Sequence, residues 1–350
     1  MRTLFIYAGE RRYKIEKINT NVLPDSDLYG FNYMDQYNVH ATYKDFEDIV
    51  SSSFLRRIIG FRFGHMLRYF YSYGEDIVFG PTLLYMMFFR KIFRNKKTKF
   101  VLLNISIGRT IMIYKKRHMM WLLRFLFKEI DHCVSLSKFQ DEFLVKHIPE
   151  TAGKTSVIHL GVDVGYFSQK TAERNGPILS VGKDNGRDYK TLFEVALLLP
   201  EEKFEIVCHP RNIPKDIAVP SNVSVSYMVS MESLREKYAS SKMLLLITHD
   251  DNYEDGADCS GQTVLLDAMA SGMPIIASRK SYILEYIVEG KDALLVDFYA
   301  PQQIVNAILL LKGDNERSSE LGYNAQRSAE ENFSTKHMAR DLVSLWDKIK

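Results

Sequence analysis

Short apolar runs alternate with longer amphipathic stretches along most of this chain, and near residue 178 the alternation starts afresh. The first series of runs is RTLFIYA at 2–8, DIVFG at 76–80, KFVLLN at 99–104, HCVSLS at 132–137 and TSVIHL at 155–160. Segments of helical length and periodicity lie between them at 82–95, 110–130 and 138–148. The second series is 178–182, 204–208, 223–227, 243–248, 274–278 and 293–296, with helices expected near 189–199, 231–240, 262–272, 281–288 and 301–312. Parallel strands are covered by helices on both faces, so they read as unbroken apolar runs. The pattern predicts an α/β chain with two doubly wound, Rossmann-like domains.

The joint is expected at 161–177, where GVDVGYFSQKTAERNGP is polar, turn-forming and aperiodic. Residues 1–160 then form one domain and 178–332 the other, which suits a length of 350 residues. The tail beyond 313 reads as helix. Its last part, 333–350, carries Met338, Leu342, Leu345 and Trp346 on one stripe, with Ser334 and Thr335 as N-cap candidates.

With 46% hydrophobic and 25% charged residues the composition is that of a globular protein and excludes disordered and collagen-like classes. Three cysteines, Cys133, Cys208 and Cys259, include no CxxC pair, which argues against a disulfide framework or a structural zinc site and for a cytoplasmic protein. The run from Leu4 to Ala8 is too short for a signal-peptide core, and no stretch approaches 18 uninterrupted apolar residues. Charge is divided unevenly. Residues 1–165 hold 25 Lys and Arg against 16 Asp and Glu, and 166–350 hold 21 against 27, so the halves carry +9 and −6. Such asymmetry suggests that the first half meets an anionic partner.

In open α/β sheets ligands sit at the carboxyl ends of the strands, so the chemistry is sought just after them. One such place is SVGKDNGRDYKTL at 180–192, where a strand ends in Gly182 and passes through Lys183 and Arg187 into a helix. Two cations beside a small-residue turn suit a diphosphate, although Gly, Asn, Asp and Lys also make up ordinary solvated loops. The other is CSGQTVLLDAMASGMPIIAS at 259–278. Here Gly261, Gln262 and Thr263 stand at a helix start whose free N–H groups and positive dipole end favour a phosphate. Asp267, four residues past Thr263, shares a face with that start. An unpartnered buried acid costs several kcal/mol, roughly, so a ribose hydroxyl or an internal donor must satisfy it.

At this segment the chain resembles the retaining glycosyltransferases of family four (glycosyl transferases group 1), which have the GT-B fold of two Rossmann-like domains facing a cleft. The resemblance is carried by VSLSKFQDEFLVKH at 134–147, VIHLGVDVGYF at 157–167, SVGKDNGRDYKTL, LREKYASSKMLLLITH at 234–249, LLDAMASGMPIIAS, YIVEGKDALLV at 286–296 and FSTKHMARDLVSLW at 333–346. It is nearly continuous from about residue 130 onward. It implies a nucleotide-sugar donor, UDP- or GDP-linked, in the second domain, and a glycan or lipid-linked acceptor in the first. No other cofactor and no metal is implied, and the C-terminal helix is expected to cross back to the first domain.

Residue by residue, the resemblance assigns Lys183 and Arg187 to the donor diphosphate and to stabilising the leaving group, with Gly182, Ser260, Gly261, Gln262 and Thr263 around it and Asp267 on the ribose. Asp267 stands where the family has the second of two glutamates. Cys259 occupies the place of the first, which contacts the transferred sugar, and a thiol lacks a carboxylate's acceptor strength. Either Asp258 or Asp255 reaches the sugar instead, or the donor differs, or activity is reduced or lost. Gly9, after the first strand, is where the family's backbone approaches the phosphates. Asn104 and Ser106 stand where many members carry a cleft histidine, and His65, His118 and His132 read as surface or strand-edge residues. Replacing Lys183 and Arg187 together is expected to weaken nucleotide binding without lowering the melting temperature.

The basic and aromatic stretches at 54–74, 90–100 and 113–130 suit either packed helices or peripheral contact with an anionic membrane at the inner face of the cell. No nucleic-acid-binding module is present. Cys259 and the missing histidine motivate a rival reading, a catalytically impaired homologue acting as a scaffold in glycan assembly. Sugar-nucleotide epimerisation would require cleft acid and base residues that are not identifiable. AGERRYK after the first strand, in place of G-x-G-x-x-G, argues against a dinucleotide dehydrogenase.

Overall fold

The computed structural model describes residues 1–45, 48, 64–105, 107–168, 173–253 and 259–350. The chain divides into two compact units, one of Met1–Thr20, Asp27–His159 and Lys336–Lys350, the other of Asn21–Ser26 and Leu160–Thr335. Each is built on a six-stranded, wholly parallel sheet.

In the first unit the strands are β1 (Arg2–Phe5), β2 (His40–Tyr43), β3 (Ile77–Gly80), β4 (Lys99–Asn104), β5 (His132–Ser135) and β6 (Thr155–Val157), in the order β2-β1-β3-β4-β5-β6. Helices α1 (Arg12–Asn19), α2 (Met87–Phe93), α3 (Ile107–Lys116), α4 (Met120–Phe127) and α5 (Lys138–His147) lie around it. On one face Leu4, Val78, Phe100, Leu102 and Cys133 pack with Ile107, Ile111, Leu123, Phe127 and Leu144. On another, the Phe5 and Phe79 rings meet the Trp346 indole at 6.0 and 5.6 Å. That indole belongs to the C-terminal helix (Thr335–Ile349), whose stripe of Met338, Leu342, Leu345 and Trp346 is buried. The close fit of this helix shows at Gly30, where a Cβ would stand 2.8 Å from that of Ala339.

Two features of this unit depart from the expected pattern. β2 has the sequence HATY, too polar to stand out as a strand, and it is tolerated because it lies at the sheet edge. The single helix expected over 110–130 is two, α3 and α4, because His118 adopts a left-handed φ of +54° at the end of a run of cations.

In the second unit β7 (Ile178–Gly182), β8 (Phe204–Cys208), β9 (Val223–Tyr227), β10 (Met243–Leu246), β11 (Ile275–Ser278) and β12 (Leu294–Val296) run in the order β12-β11-β10-β7-β8-β9. The chain moves outward from β7 in one direction and then from β10 in the other. The carboxyl ends of β7 and β10 therefore flank the topological switch point, where such sheets open a crevice. Helices α6 (Val164–Phe167), α7 (Tyr189–Leu198), α8 (Met231–Ser240), α9 (Gln262–Ala270), α10 (Pro301–Gly313) and α11 (Asn315–Asn332) complete the unit, and the C-terminal helix is α12. The region 281–288, expected to be helical, holds only the 3-10 turn Ile283–Glu285. Residues 21–26 join this unit by hydrogen bonds: Asp25 N–H donates to Asp163 Oδ2, Asp163 N–H to Ser26 Oγ, both at 3.0 Å, and the Tyr166 hydroxyl to Val22 O. Among the described residues no helix is long and apolar enough to cross a membrane.

Candidate donor site

The loop after β7 is laced to the loop after β10 by backbone bonds. Asp188 N–H donates to Ile247 O at 3.1 Å, and His249 N–H to Gly186 O at 2.9 Å. Asp188 also caps α7, its carboxylate accepting from Thr191 N–H at 3.1 Å, so the loop leads into the helix without a gap. The result is a fixed ledge at the switch point.

Arg187 points inward from this ledge. Its residue is 4% exposed, Nε donates to Val181 O at 2.9 Å, Nη1 donates to Ser260 Oγ at 3.2 Å, and Nη2 lies 3.5 Å from Asp184 Oδ2. The Ser260 hydroxyl donates in turn to Asp184 Oδ1. Burial pushes the Asp184 carboxyl up, but the Arg187 charge, the Ser260 hydroxyl and the Gly186 N–H together bring it below its ordinary range. Two glycines make room for the guanidinium. A Cβ on Gly182 would fall 2.0 Å from Arg187 Nε, and one on Gly261 2.8 Å from Nη1. Gly261 is also the N-cap of α9 at a φ of +95°, a conformation that side chains resist.

The start of α9 is held by tyrosines. The Tyr282 hydroxyl donates to Ser260 O at 2.7 Å, and Gln262 Nε2 donates at 2.5 Å to the Tyr286 hydroxyl, which also accepts from Leu160 N–H at 3.0 Å. Burial drives both phenols well above their usual range, so they stay neutral donors and acceptors. Gln262 N–H is taken by Cys259 O, whereas Thr263, exposed, stands in the first turn, where N–H groups lack intrahelical acceptors.

The structure thus brings Gly182, Arg187, Ser260, Gly261 and Gln262 together. Lys183 is exposed beside them, and its ammonium makes no hydrogen bond or ion pair among the described residues; its carbonyl accepts from Arg211. Cys259 precedes the cluster, half-buried and outside any disulfide among the described residues. Asp267 is buried in the second turn of α9, where its charge bears on the Tyr238 and Tyr166 hydroxyls. Gly9 is exposed in the first unit, with nothing closer to a Cβ than Arg11 Nη1 at 3.8 Å, so no packing demands glycine there. Asp255, Asp258 and Ser106 lie outside the described residues. Asn104 caps α3, accepting from Ile107 N–H and donating to Ser135 Oγ, both at 3.3 Å.

Beside the ledge is a cavity of about 340 Å³ lined by Asn185, Arg187, Lys190, Arg211, Asn212, His249 and Tyr253 among others. The imidazole of His249 stacks on Tyr253 at 3.9 Å, and burial holds its pKa below the usual value. Asp184, Tyr282, Tyr286, His249 and Arg211 were not singled out from sequence. Asp184 has a signal, an acid three residues before Arg187; the tyrosines have none. Of the histidines, His118 is exposed and His132 begins β5, whereas His65 is buried, contrary to its reading as a surface or strand-edge residue: Nδ1 lies 3.2 Å from Arg68 Nη1 and 3.3 Å from Thr82 Oγ1.

Residues 219–328 match the model of the family described as glycosyl transferases group 1. Spore coat protein SA of Bacillus subtilis is 37% identical over 83 residues, 23% of this chain and 22% of that protein. An uncharacterized glycosyltransferase of Methanocaldococcus jannaschii is 22% identical over 338 residues, 86% of this chain and 82% of the relative. Among solved structures, HepE of Anabaena in complex with UDP-glucose superposes with a TM-score of 0.69 at 12% identity, covering 99% of this chain and 100% of that one. The chain therefore resembles the glycosyl transferases of group 1, whose model it matches over 219–328, and it has the GT-B fold of two Rossmann-like, parallel-sheet units.

Proposed function

We propose that the chain is a glycosyltransferase that takes a sugar from a nucleoside-diphosphate sugar held by the second unit and passes it, with retention, to a glycan or lipid-linked acceptor held by residues 1–160. One observation carries the donor reading: the buried Arg187 guanidinium packs against the first turn of α9. A helix N-terminus is already the positive pole of its dipole. Placing a buried cation there costs free energy unless an anion joins them, and Asp184, one-third exposed and 3.5 Å away, supplies only part of that charge. A diphosphate bound across the helix start supplies the rest.

In this reading the exposed Lys183 and the first-turn N–H groups meet the phosphate oxygens, and Arg187 adds field from below. As the bond from the anomeric carbon to the phosphate oxygen breaks, the growing charge on the leaving diphosphate is stabilised by these fixed positive groups. The acceptor oxygen forms the new bond to that carbon and its proton passes to the departing phosphate. Asp267 holds the ribose, Asp258 serves the sugar, and Cys259, Gly9 and Gly182 line the donor path. The bound UDP-glucose of the Anabaena relative supports a nucleotide-sugar donor.

The test is a thermal shift against UDP, GDP, ADP and their sugar conjugates, with wild type beside Asp267→Ala, because a ligand of the native state raises apparent stability. A base-selective shift lost in the variant supports the reading; no shift from folded protein overturns it. Cys259 in place of an acid, and Asn104 committed to capping α3, favour the scaffold as a second reading. In that case nucleotide sugar binds but is neither transferred nor hydrolysed.

A further inference from the structure

We propose that the first unit docks on an anionic lipid bilayer through one aromatic and basic face, built from α2, α4 and the 3-10 turn Arg68–Ser72. The inference stands on that unit alone, so its failure leaves the donor reading untouched.

Phe70, Phe88, Ile92, Phe93 and Trp121 are 45, 48, 55, 50 and 68% exposed. Single exposed apolar residues are ordinary, but a contiguous group of large ones marks an interaction site. The phenylalanines among them form one group. The Phe70 ring is 5.4 Å from that of Phe93 and 5.5 Å from that of Phe89, and Phe89 is 6.2 Å from Phe88. Phe88 and Ile92 are one helical turn apart, as are Trp121 and Phe125, so each pair presents to one side of its helix. The two helices are joined across the face by Lys91, whose Nζ stands 5.7 Å over the Phe125 ring.

The charge around the face is predominantly positive. Residues 77–128 hold twelve Lys and Arg and no Asp or Glu. Three of these cations are neutralised by acids from outside the stretch, Arg90 by Asp131 at 2.7 Å, and Lys91 by Glu129 and Arg124 by Glu150, each at 2.9 Å. Arg94, Lys96 and Lys97, which follow α2 directly, are exposed and make no ion pair among the described residues, and the same holds for Lys115 and Lys128. Protein interfaces are depleted in lysine at their centres. Phe, Ile and Trp ringed by unpaired Lys and Arg instead match the boundary of an anionic bilayer, where the rings enter the acyl edge and the cations meet the headgroups.

The protein carries its own reporter. It has two tryptophans, Trp121 on this face and Trp346 wholly buried, so a change in indole emission on adding lipid comes from the face. Full-length protein is mixed with vesicles of phosphatidylcholine and phosphatidylglycerol, and with vesicles of phosphatidylcholine alone. The expected result is a blue shift and co-sedimentation with the mixed vesicles only, reversed by added salt. Each surface cation contributes roughly fivefold, so Lys96→Glu with Lys97→Glu weakens binding at least about 30-fold. Ile92→Glu abolishes the shift. All three positions are exposed, and an unchanged melting temperature confirms that the variants fold. The wild-type salt titration needs no variant. No binding to the mixed vesicles, equal salt-insensitive binding to both kinds, or binding that ignores all three substitutions overturns the proposal. So does a lipid-free, concentration-dependent blue shift with a dimer in sedimentation and no vesicle binding, which would make a second copy of the chain the occupant.

Discussion

Arg187 Nη1 donates to Ser260 Oγ at 3.2 Å, joining residues 73 apart in sequence so that the cation after β7 supports the first turn of α9. This bond ties the two segments that sequence alone marked as donor-binding, and it separates their two cations into different roles. Lys183 is free to meet a ligand, whereas Arg187 is part of the wall.

Replacing Arg187 is therefore expected to lower stability, contrary to the reading of both cations as free. Arg187→Ala leaves Asp184 without its cation and opens a hole behind Gly182. Breaking a buried pair costs about 3–5 kcal/mol, and the one-third exposure of Asp184 brings the figure here to about 2 kcal/mol. Arg187→Lys retains charge but loses the fork that reaches Val181 O, Ser260 Oγ and Asp184 together. Denaturant unfolding should rank wild type above the lysine variant and that above the alanine variant, with Asp184→Asn recovering part of the loss in the double variant. Equal midpoints would refute the structural role.

Lys183→Ala should leave the melting temperature unchanged, because the ammonium holds nothing in the described structure. A charge-assisted hydrogen bond contributes about 1.5–3 kcal/mol. Affinity for a nucleoside diphosphate should fall on the order of 10-fold or more, with little change for the nucleoside, as isothermal titration would show.

Gly261→Ala tests the helix start itself. The added methyl would sit 2.8 Å from Arg187 Nη1 and 2.9 Å from Leu246 Cδ1, at a φ of +95°. Strain of this kind costs about 1–3 kcal/mol. Relief requires a shift of Ser260 or Arg187, so nucleotide affinity and stability should fall together, whereas Lys183→Ala separates them.

How far the sequence reaches is visible in these residues. The core strands of both sheets are apolar runs and legible as such, while β2, HATY at an edge, carries no such signal. The break between α3 and α4 is hidden because Lys115 to His118 continue a helical pattern until the backbone turns left-handed at His118. Gly182 and Gly261 were legible as glycines near a phosphate site, but their packing reason, room for the Arg187 guanidinium, depends on a side-chain direction that spacing does not fix. An arginine among Gly, Asn and Asp reads as solvated until Asp184 and Ser260 are seen around it. His65 failed for the same reason, since a lone histidine in a basic aromatic stretch has no partner in sequence.

His65 yields a prediction in pH. Burial first, and then the neighbouring Arg68 charge, lower its pKa to about 4, against a backbone hydrogen bond at Ala8 that pulls the other way. The folded state therefore keeps the imidazole neutral where the unfolded chain, near 6.5, already binds a proton. Between these values the unfolded state takes up more protons, so stability contributed by neutral His65 is full above about pH 6.5 and is lost as pH falls toward 4. At about 1.4 kcal/mol per unit the gap sets an upper limit of about 3 kcal/mol. His65→Gln, which can still accept from Arg68 Nη1 but does not titrate, should lose less stability than wild type between pH 7 and pH 4.5 in denaturant titrations. Carboxylates elsewhere contribute equally to both proteins and cancel in the comparison. Parallel pH profiles would show that His65 is protonated without cost and that its contact with Arg68 does not constrain the fold.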